Sequence, residues 1–318
     1  MNVMNENRRR LVGEIYEYVQ ELVNKCQQNN WEVIIYGFGR GGKFLRHLIE
    51  NIDGRMKVSY IIDEKLRYTY DSYPAVYKPS LLDYLDSSKH MVVSSIKDIN
   101  QIVGNLSGHG YVMGENLFNS YADIGDSYIE FLQKKNSAID FSTVPKEEMR
   151  DLGAECNEHQ PFGHSCVDNV FDEILTLEDA LSFFDFGCGK GAAILMAYMS
   201  GIDKIGGVEI EKSVYDQCVI NMKELDIDCS LLNEDATQCD IDEYNCFFFY
   251  NPFGQSVLKK VLSNIQKSYM NNKRRIYLIY ANPFLHKCIV EDGFFKLYKQ
   301  VRTDLYDPLL NIYVTETK

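Results

Sequence analysis

The chain contains no Cys-x-x-Cys pair, although nine of its 318 residues are cysteines. They are odd in number and scattered, and most, such as Cys246 and Cys288, sit among apolar neighbours. A disulfide framework is thereby excluded. With no secretory leader pattern in the sequence, the expectation is a reducing, cytoplasmic setting. No apolar run reaches the roughly 20 residues that span a bilayer, so a membrane role has no support. Repeats and low-complexity segments are absent too. Positive charge is in short supply: 33 Lys and Arg against 46 Asp and Glu leave a formal charge of −13. Nucleic-acid affinity comes mostly from neutralised phosphates, so a polyphosphate partner is not expected. The basic runs Arg8-Arg9-Arg10 and Lys273-Arg274-Arg275 read as solvated helix ends.

What is present is an ordinary globular composition, 45% hydrophobic and 25% charged, in a chain long enough for two cores. The pattern is α/β throughout. Leu11, Ile15, Val19, Leu22 and Cys26 share one face of an opening amphipathic helix. The strand Glu32-Val33-Ile34-Ile35-Tyr36 then runs into Gly37-Phe38-Gly39-Arg40-Gly41-Gly42, a Gly-x-Gly-x-x-Gly turn with a helix over 43–51 behind it. The next strand, 58–62, ends in Asp63, where a ribose-binding acid would stand. Further strands are expected at 91–94 and 111–113, with helices around 81–85 and 96–106. This first unit, 1–118, reads as a Rossmann-like fold. Gly37, Gly39, Gly42 and Asp63 either hold a nucleotide or only pack helix on strand, leaving the unit a scaffold or a surface for a homodimer. Residues 119–154 read as a linker.

Between linker and second unit lies Cys156-Asn157-Glu158-His159-Gln160-Pro161-Phe162-Gly163-His164-Ser165-Cys166. Its Cys and His spacing is not that of paired zinc knuckles. It reads as a loop folding over a cofactor, and no metal centre is expected.

The second unit, 155–318, is organised around Phe183-Phe184-Asp185-Phe186-Gly187-Cys188-Gly189-Lys190-Gly191: a buried strand, a glycine turn, then a helix over 192–199. Glycines let the backbone approach a ligand, and a helix N-terminus offers free N–H groups. The following strand ends in Glu209, twenty-four residues after Asp185, where a carboxylate can accept both hydroxyls of a ribose. A third strand tip carries Asp235 and Ala236, and Asp235 can accept from an adenine amino group. A fourth strand over 246–250 ends in Tyr250-Asn251-Pro252-Phe253-Gly254. A fifth over 276–280 precedes Asn282-Pro283-Phe284, and strands over 295–301 and 312–315 close the sheet. Lys190 either approaches a ligand carboxylate or points to water. Glu209 and Glu211 are both candidates for plain solvated acids, but only Glu209 sits at the strand tip.

In their order and spacing, the Asp-x-Gly-x-Gly turn, the acidic second tip, Glu234-Asp235-Ala236 and Tyr250-Asn251-Pro252-Phe253 resemble the class I S-adenosylmethionine-dependent methyltransferases. The Asn-Pro-Phe-Gly stretch with a later Tyr-Ala-Asn-Pro is similar to a bacterial subgroup related to the non-SET histone lysine methyltransferases. The first unit resembles the nucleotide-binding-like domains of polysaccharide and deoxysugar enzymes, on the Tyr-Gly-x-Gly-x-x-Gly turn, the Ile-Ile-Asp strand end and Tyr73-Pro74-Ala75-Val76.

The methyltransferase resemblance implies a seven-stranded sheet and bound S-adenosylmethionine. Asp185, Gly187, Gly189, Glu209, Asp235, Ala236 and Gln160 would contact that cofactor. His159 stands where the subgroup has another aromatic, and Phe162 where it has a hydroxyl. The resemblance further implies methyl transfer to a nitrogen or oxygen, with Asn251 facing the acceptor and Tyr250 and Phe253 walling the sulfonium. The acceptor expected is a small molecule or sugar conjugate. A non-catalytic nucleotide sensor and a protein lysine methyltransferase are the alternatives. If a base is needed, His164 and His286 are the ones within reach of the rim.

Overall fold

The computed structural model describes residues 6–51, 56–65, 75–120, 128–145, 149, 171, 174, 180–291, 293–301 and 309–315. The chain divides into two compact units, changing over between Lys135 and Asn136.

The first unit opens with helices α1 (Glu6–Val12) and α2 (Glu14–Asn29). The apolar stripe Leu11, Ile15, Val19, Leu22 and Cys26 is buried as its spacing requires. Gly13, at φ 52°, splits what reads as one helix into two. Arg8 is no solvated helix end: it is 3% exposed.

Next come β1 (Glu32–Tyr36), α3 (Arg40–Asn51), β2 (Val58–Ile62) and β3 (Val76–Tyr77). A 3-10 turn (Pro79–Tyr84), β4 (His90–Ser94), α4 (Asn100–Gly108), β5 (Leu117–Asn119) and α5 (Tyr128–Lys135) complete it. The sheet order is β3-β2-β1-β4-β5, parallel throughout. Helix α4 starts four residues later than its apolar pattern suggests, because the Asp98 carboxylate accepts the Asn100 N–H at 3.2 Å and sets the first turn there. The strand expected at 111–113 forms at 117–119 instead. Asn116 explains the shift: its Oδ1 takes the Val112 N–H at 2.7 Å, and Gly114 turns the chain at φ 83°. Those groups are then lost to a ladder.

The second unit contains β6 (Ser182–Phe186), α6 (Ala192–Met199), β7 (Lys204–Val208), α7 (Lys212–Glu224), β8 (Ser230–Leu232) and β9 (Cys246–Tyr250). Helix α8 (Gln255–Asn271), β10 (Tyr277–Ala281), α9 (His286–Val290), β11 (Phe295–Val301) and β12 (Leu310–Thr315) follow. Seven strands line up as β11-β12-β10-β9-β6-β7-β8. Six run in one direction, and β12 alone runs against them, antiparallel between β10 and β11. This is the seven-stranded α/β sheet expected. Its central strands are buried on both faces, as continuous apolar runs demand. An aromatic core built from Phe184, Phe186, Phe247, Phe249 and Tyr280 fills one face, with Phe186 stacked on Phe249 at 5.0 Å.

From β6 the chain proceeds to β7 on one side, and later returns to β9 on the other. The strand order therefore reverses between β6 and β9, the place where open α/β sheets leave a crevice at their carboxyl ends.

Arg274 also departs from the solvated reading. Its guanidinium donates to the carbonyls of Tyr244 at 2.8 Å, Asn272 at 2.9 Å, Ser268 at 3.2 Å and Ile241 at 3.3 Å, and to Ser268 Oγ at 2.9 Å. It thus staples the end of α8 to the approach of β9. Arg274→Met should lower stability by about 2–4 kcal/mol, measured by urea denaturation. Lys273→Met, at an exposed neighbour, should cost within about 0.5 kcal/mol.

Candidate functional site

The glycine turn after β6 is shaped by close packing on three sides. Gly187, Gly189 and Gly191 have φ of 78°, 56° and 90°, a region that side chains disfavour. The N–H groups of Gly187 and Cys188 both donate to Val208 O at 2.9 Å, tying the turn to β7. A Cβ on Gly187 would lie 2.6 Å from Pro252 Cβ. The turn after β6 and the Asn-Pro-Phe corner after β9 therefore touch, at the point where the strand order reverses.

Glu209, at the tip of β7, joins that tip to the turn. Its Oε2 accepts the Gly189 N–H at 3.0 Å and its Oε1 accepts the Glu211 N–H at 2.9 Å. Burial pushes its carboxyl above the ordinary value, against the downward pull of those backbone donors. Glu211 is not the solvated acid its sequence allows: it is buried and caps α7 through the Ser213 N–H at 3.3 Å. Between the two acids Ile210 stays 45% exposed. Asn233 fixes this tip from β8, donating to Glu209 O at 2.8 Å and Ile210 O at 3.1 Å.

Asp185 is buried within β6, and burial, then the neighbouring Glu209 charge, push its carboxyl well above the usual range. The turn's N–H groups go to Val208 and Glu209 rather than to Asp185. Asp235 is exposed, and its Oδ1 accepts the Thr237 N–H at 2.8 Å in a local turn. Ala236 packs against the aromatic core.

At the tip of β9, Asn251 adopts φ 47° and its Oδ1 accepts the Tyr280 hydroxyl at 3.3 Å. Tyr250 is half-buried. Phe253 turns inward, 7% exposed, with its ring 5.8 Å from Phe249 in the aromatic core. It is not gathered at the rim with Asn251. At His286, Nδ1 lies 2.8 Å from the Tyr313 hydroxyl, which also accepts from Asn311 at 2.8 Å. One ring nitrogen of that candidate base is thus already engaged. His164, Gln160 and the whole Cys156 to Cys166 stretch lie outside the described residues, as does the Tyr73-Pro74 pair.

Lys190 does not point to water. It is 6% exposed, and its Nζ lies 2.5 Å from Asp140 Oδ2 and 3.1 Å from Ser142 Oγ. Against its own partial desolvation, the hydrogen bonds from Lys190 and Ser142 hold the Asp140 carboxyl below its ordinary value. Asn221, fully buried on α7, closes the arrangement. Its amide donates to Lys190 O at 2.9 Å and Asp140 O at 2.8 Å, and its Oδ1 accepts the Asp140 N–H at 2.9 Å. Neither Asp140 nor Asn221 is signalled in the sequence, since each lies far along the chain from the turn it braces. Asn233 and Ile210 flank acids already singled out, and an apolar residue between two carboxylates at a strand tip is a legible cue.

In the first unit the second glycine turn repeats this economy. Asp63 Oδ2 accepts the Phe38 N–H at 2.7 Å, and its Oδ1 accepts the Lys65 N–H at 2.8 Å. A Cβ on Gly42 would stand 2.1 Å from Gly37 O, while one on Gly39 would meet nothing within 4 Å. Gly42 is thus fixed by packing, and open space borders Gly39.

No protein-family model matches the chain, and no curated protein does. Solved structures do. One is a putative RNA methyltransferase from Pyrococcus horikoshii, 15% identical, covering 60% of this chain and 97% of that one, with a TM-score of 0.42. Another is magnesium protoporphyrin IX methyltransferase from Synechocystis with bound SAM: 19% identity, 47% of this chain, 78% of that one, TM-score 0.35. A third is ribosomal protein L11 methylase from Lactobacillus delbrueckii subsp. bulgaricus, at 14%, 48%, 77% and 0.36 in the same order.

The buried carboxyl of Asp185 gives a pH signature. Its value is raised on folding, so it costs nothing below the unfolded value of about 3.9 and progressively more as pH rises toward the folded value. Asp185→Asn should therefore raise the melting temperature of the ligand-free protein near neutral pH, with the gain vanishing at about pH 4. A gain independent of pH would trace the effect to something other than this ionisation.

Proposed function

We propose that the second unit is an S-adenosylmethionine-dependent methyltransferase acting on a nitrogen or oxygen of a small molecule or sugar conjugate. The observation that carries this reading is the Glu209 carboxylate, held by the Gly189 N–H at the reversal point of the sheet with lone pairs left for a diol. The acidic formal charge of −13 favours a small acceptor over a polyphosphate.

The residues fit such a donor. Asp185 and Glu209 are two neighbouring buried acids whose ionised forms are penalised, and a cationic ligand relieves that penalty. The turn at Gly187 and Gly189 lets backbone approach it, and Asp235 keeps an oxygen for an amino group. S-adenosylmethionine held there would supply an activated methyl carbon, the acceptor's lone pair displacing the sulfur, which would keep the carbon–sulfur electron pair, with the acceptor's proton passing to solvent. The chain's own task is then to align reactants and keep water out. Asn251 orients the acceptor, and Tyr250 offers a ring near the positive charge.

Isothermal titration with S-adenosylhomocysteine tests the reading. Glu209→Gln, which keeps an acceptor oxygen for the backbone N–H groups, should weaken binding by about 100-fold through the loss of charge-assisted hydrogen bonds, with the far-UV circular dichroism unchanged. A wild-type chain that binds neither S-adenosylhomocysteine nor S-adenosylmethionine would end it.

A nucleotide at the first unit's glycine turn is a separate proposal, supported by the open space at Gly39 and by Asp63 lying against the turn. Gly39→Ala should leave stability within about 1 kcal/mol yet abolish nucleotide binding. Gly42→Ala should unfold the turn, read by thermal melting, because its new methyl meets a backbone carbonyl that cannot withdraw.

A further inference from the structure

Strands β9 and β10 are parallel neighbours, with Tyr250 paired to Ala281 at their ends. The next three residues are Asn251-Pro252-Phe253 on one strand and Asn282-Pro283-Phe284 on the other. The same tripeptide therefore leaves the sheet twice, in register, on adjacent strands. The backbones match as well: Asn251 and Asn282 are both left-handed, at φ 47° and 55°. Asn tolerates that region better than most residues, so two such corners side by side hold two amides at one rim.

The two copies then diverge. Phe253 enters the aromatic core against Phe249. At β10 the inward place goes to Leu285, which packs against that core, and Phe284 is left 74% exposed. The amides differ too. Asn251 Oδ1 accepts from the Tyr280 hydroxyl at 3.3 Å. Asn282 anchors its backbone N–H to Leu309 O at 2.8 Å, and its side-chain amide has no hydrogen bond to the described residues.

Resting on the methyl-donor reading above, we propose that Asn282 and Phe284 complete the acceptor subsite with Asn251, and that the acceptor is a planar ring bearing the nitrogen that receives the methyl group. The rim runs, strand by strand, from Glu209 through the Gly187 turn to Asn251 and then Asn282. Pro252 abuts Gly187, so Asn251 stands beside the donor and Asn282 one strand further out. Parallel neighbours lie about 4.8 Å apart. A ring stacked on Phe284 must therefore carry its nitrogen across one strand spacing, comparable to the width of an amino-substituted aromatic ring. Aromatic faces favour such stacking, and a flexible aliphatic amine offers no face to receive it. Two adjacent amides provide both a donor and an acceptor for the edge of a nitrogen-bearing ring.

Saturation-transfer NMR on the full chain, saturated with S-adenosylhomocysteine, tests this with adenine and nicotinamide as planar probes and cadaverine and glucosamine as non-planar ones. The planar probes alone should show transfer. Phe284→Ala should weaken them about tenfold, and Phe284→Tyr should restore them. Asn282→Ala should weaken them too, and affinity for S-adenosylhomocysteine should change by less than about twofold in all three variants. Equal binding of the non-planar probes, or ring binding untouched by Phe284→Ala, overturns the proposal. If S-adenosylhomocysteine binds and no ring does, the acceptor proposal alone falls. If the wild-type chain does not bind S-adenosylhomocysteine at all, the donor reading falls and takes this proposal with it.

Discussion

A single carboxylate, that of Glu209, ties the second unit's rim together. By accepting the Gly189 N–H it draws the turn after β6 against the tip of β7, and by accepting the Glu211 N–H it sets the start of α7. Were the carboxylate absent, two backbone donors in a buried place would lack partners, each costing about 1–3 kcal/mol. The acid is held for structure, and the function proposed for it would use the same carboxylate. That combination is efficient, because a group already locked by the backbone need not be ordered again when a ligand arrives.

The two units arrive at this device independently. In the first, Asp63 at the end of β2 accepts the Phe38 N–H of the glycine turn after β1. In the second, Glu209 at the end of β7 does the same for the turn after β6. Each uses an acid from the neighbouring parallel strand to satisfy a turn N–H that no helix or ladder can reach. The difference lies in burial. Glu209 sits beside a second buried acid, Asp185, and burial pushes the carboxyls of both above the ordinary value.

Much of this is legible in the sequence, because parallel strands buried on both faces read as plain apolar runs and their tips carry the polar residues. The strands over 246–250 and 295–301 fall where the pattern puts them, and so do the turn glycines. What escapes is whatever depends on a distant partner. Asn116 moves a strand by capturing one N–H four residues back. Arg8 and Arg274 read as surface charge, because a basic run carries no mark of the carbonyls it will meet. Phe253 reads as a rim aromatic, yet its neighbour Phe249 offers it a place inside. Lys190 finds an acid fifty residues earlier, in a stretch that reads as linker.

That last pairing bears on where the second unit begins. A fragment cut at residue 155, the boundary the apolar pattern suggests, would discard Asp140 and Ser142, the partners of Lys190 at the foot of the glycine turn. The cut would also strip Asn221, buried on α7, of the Asp140 backbone groups that its amide bonds. The compact second unit starts at Asn136, so part of the stretch that reads as a linker belongs to it.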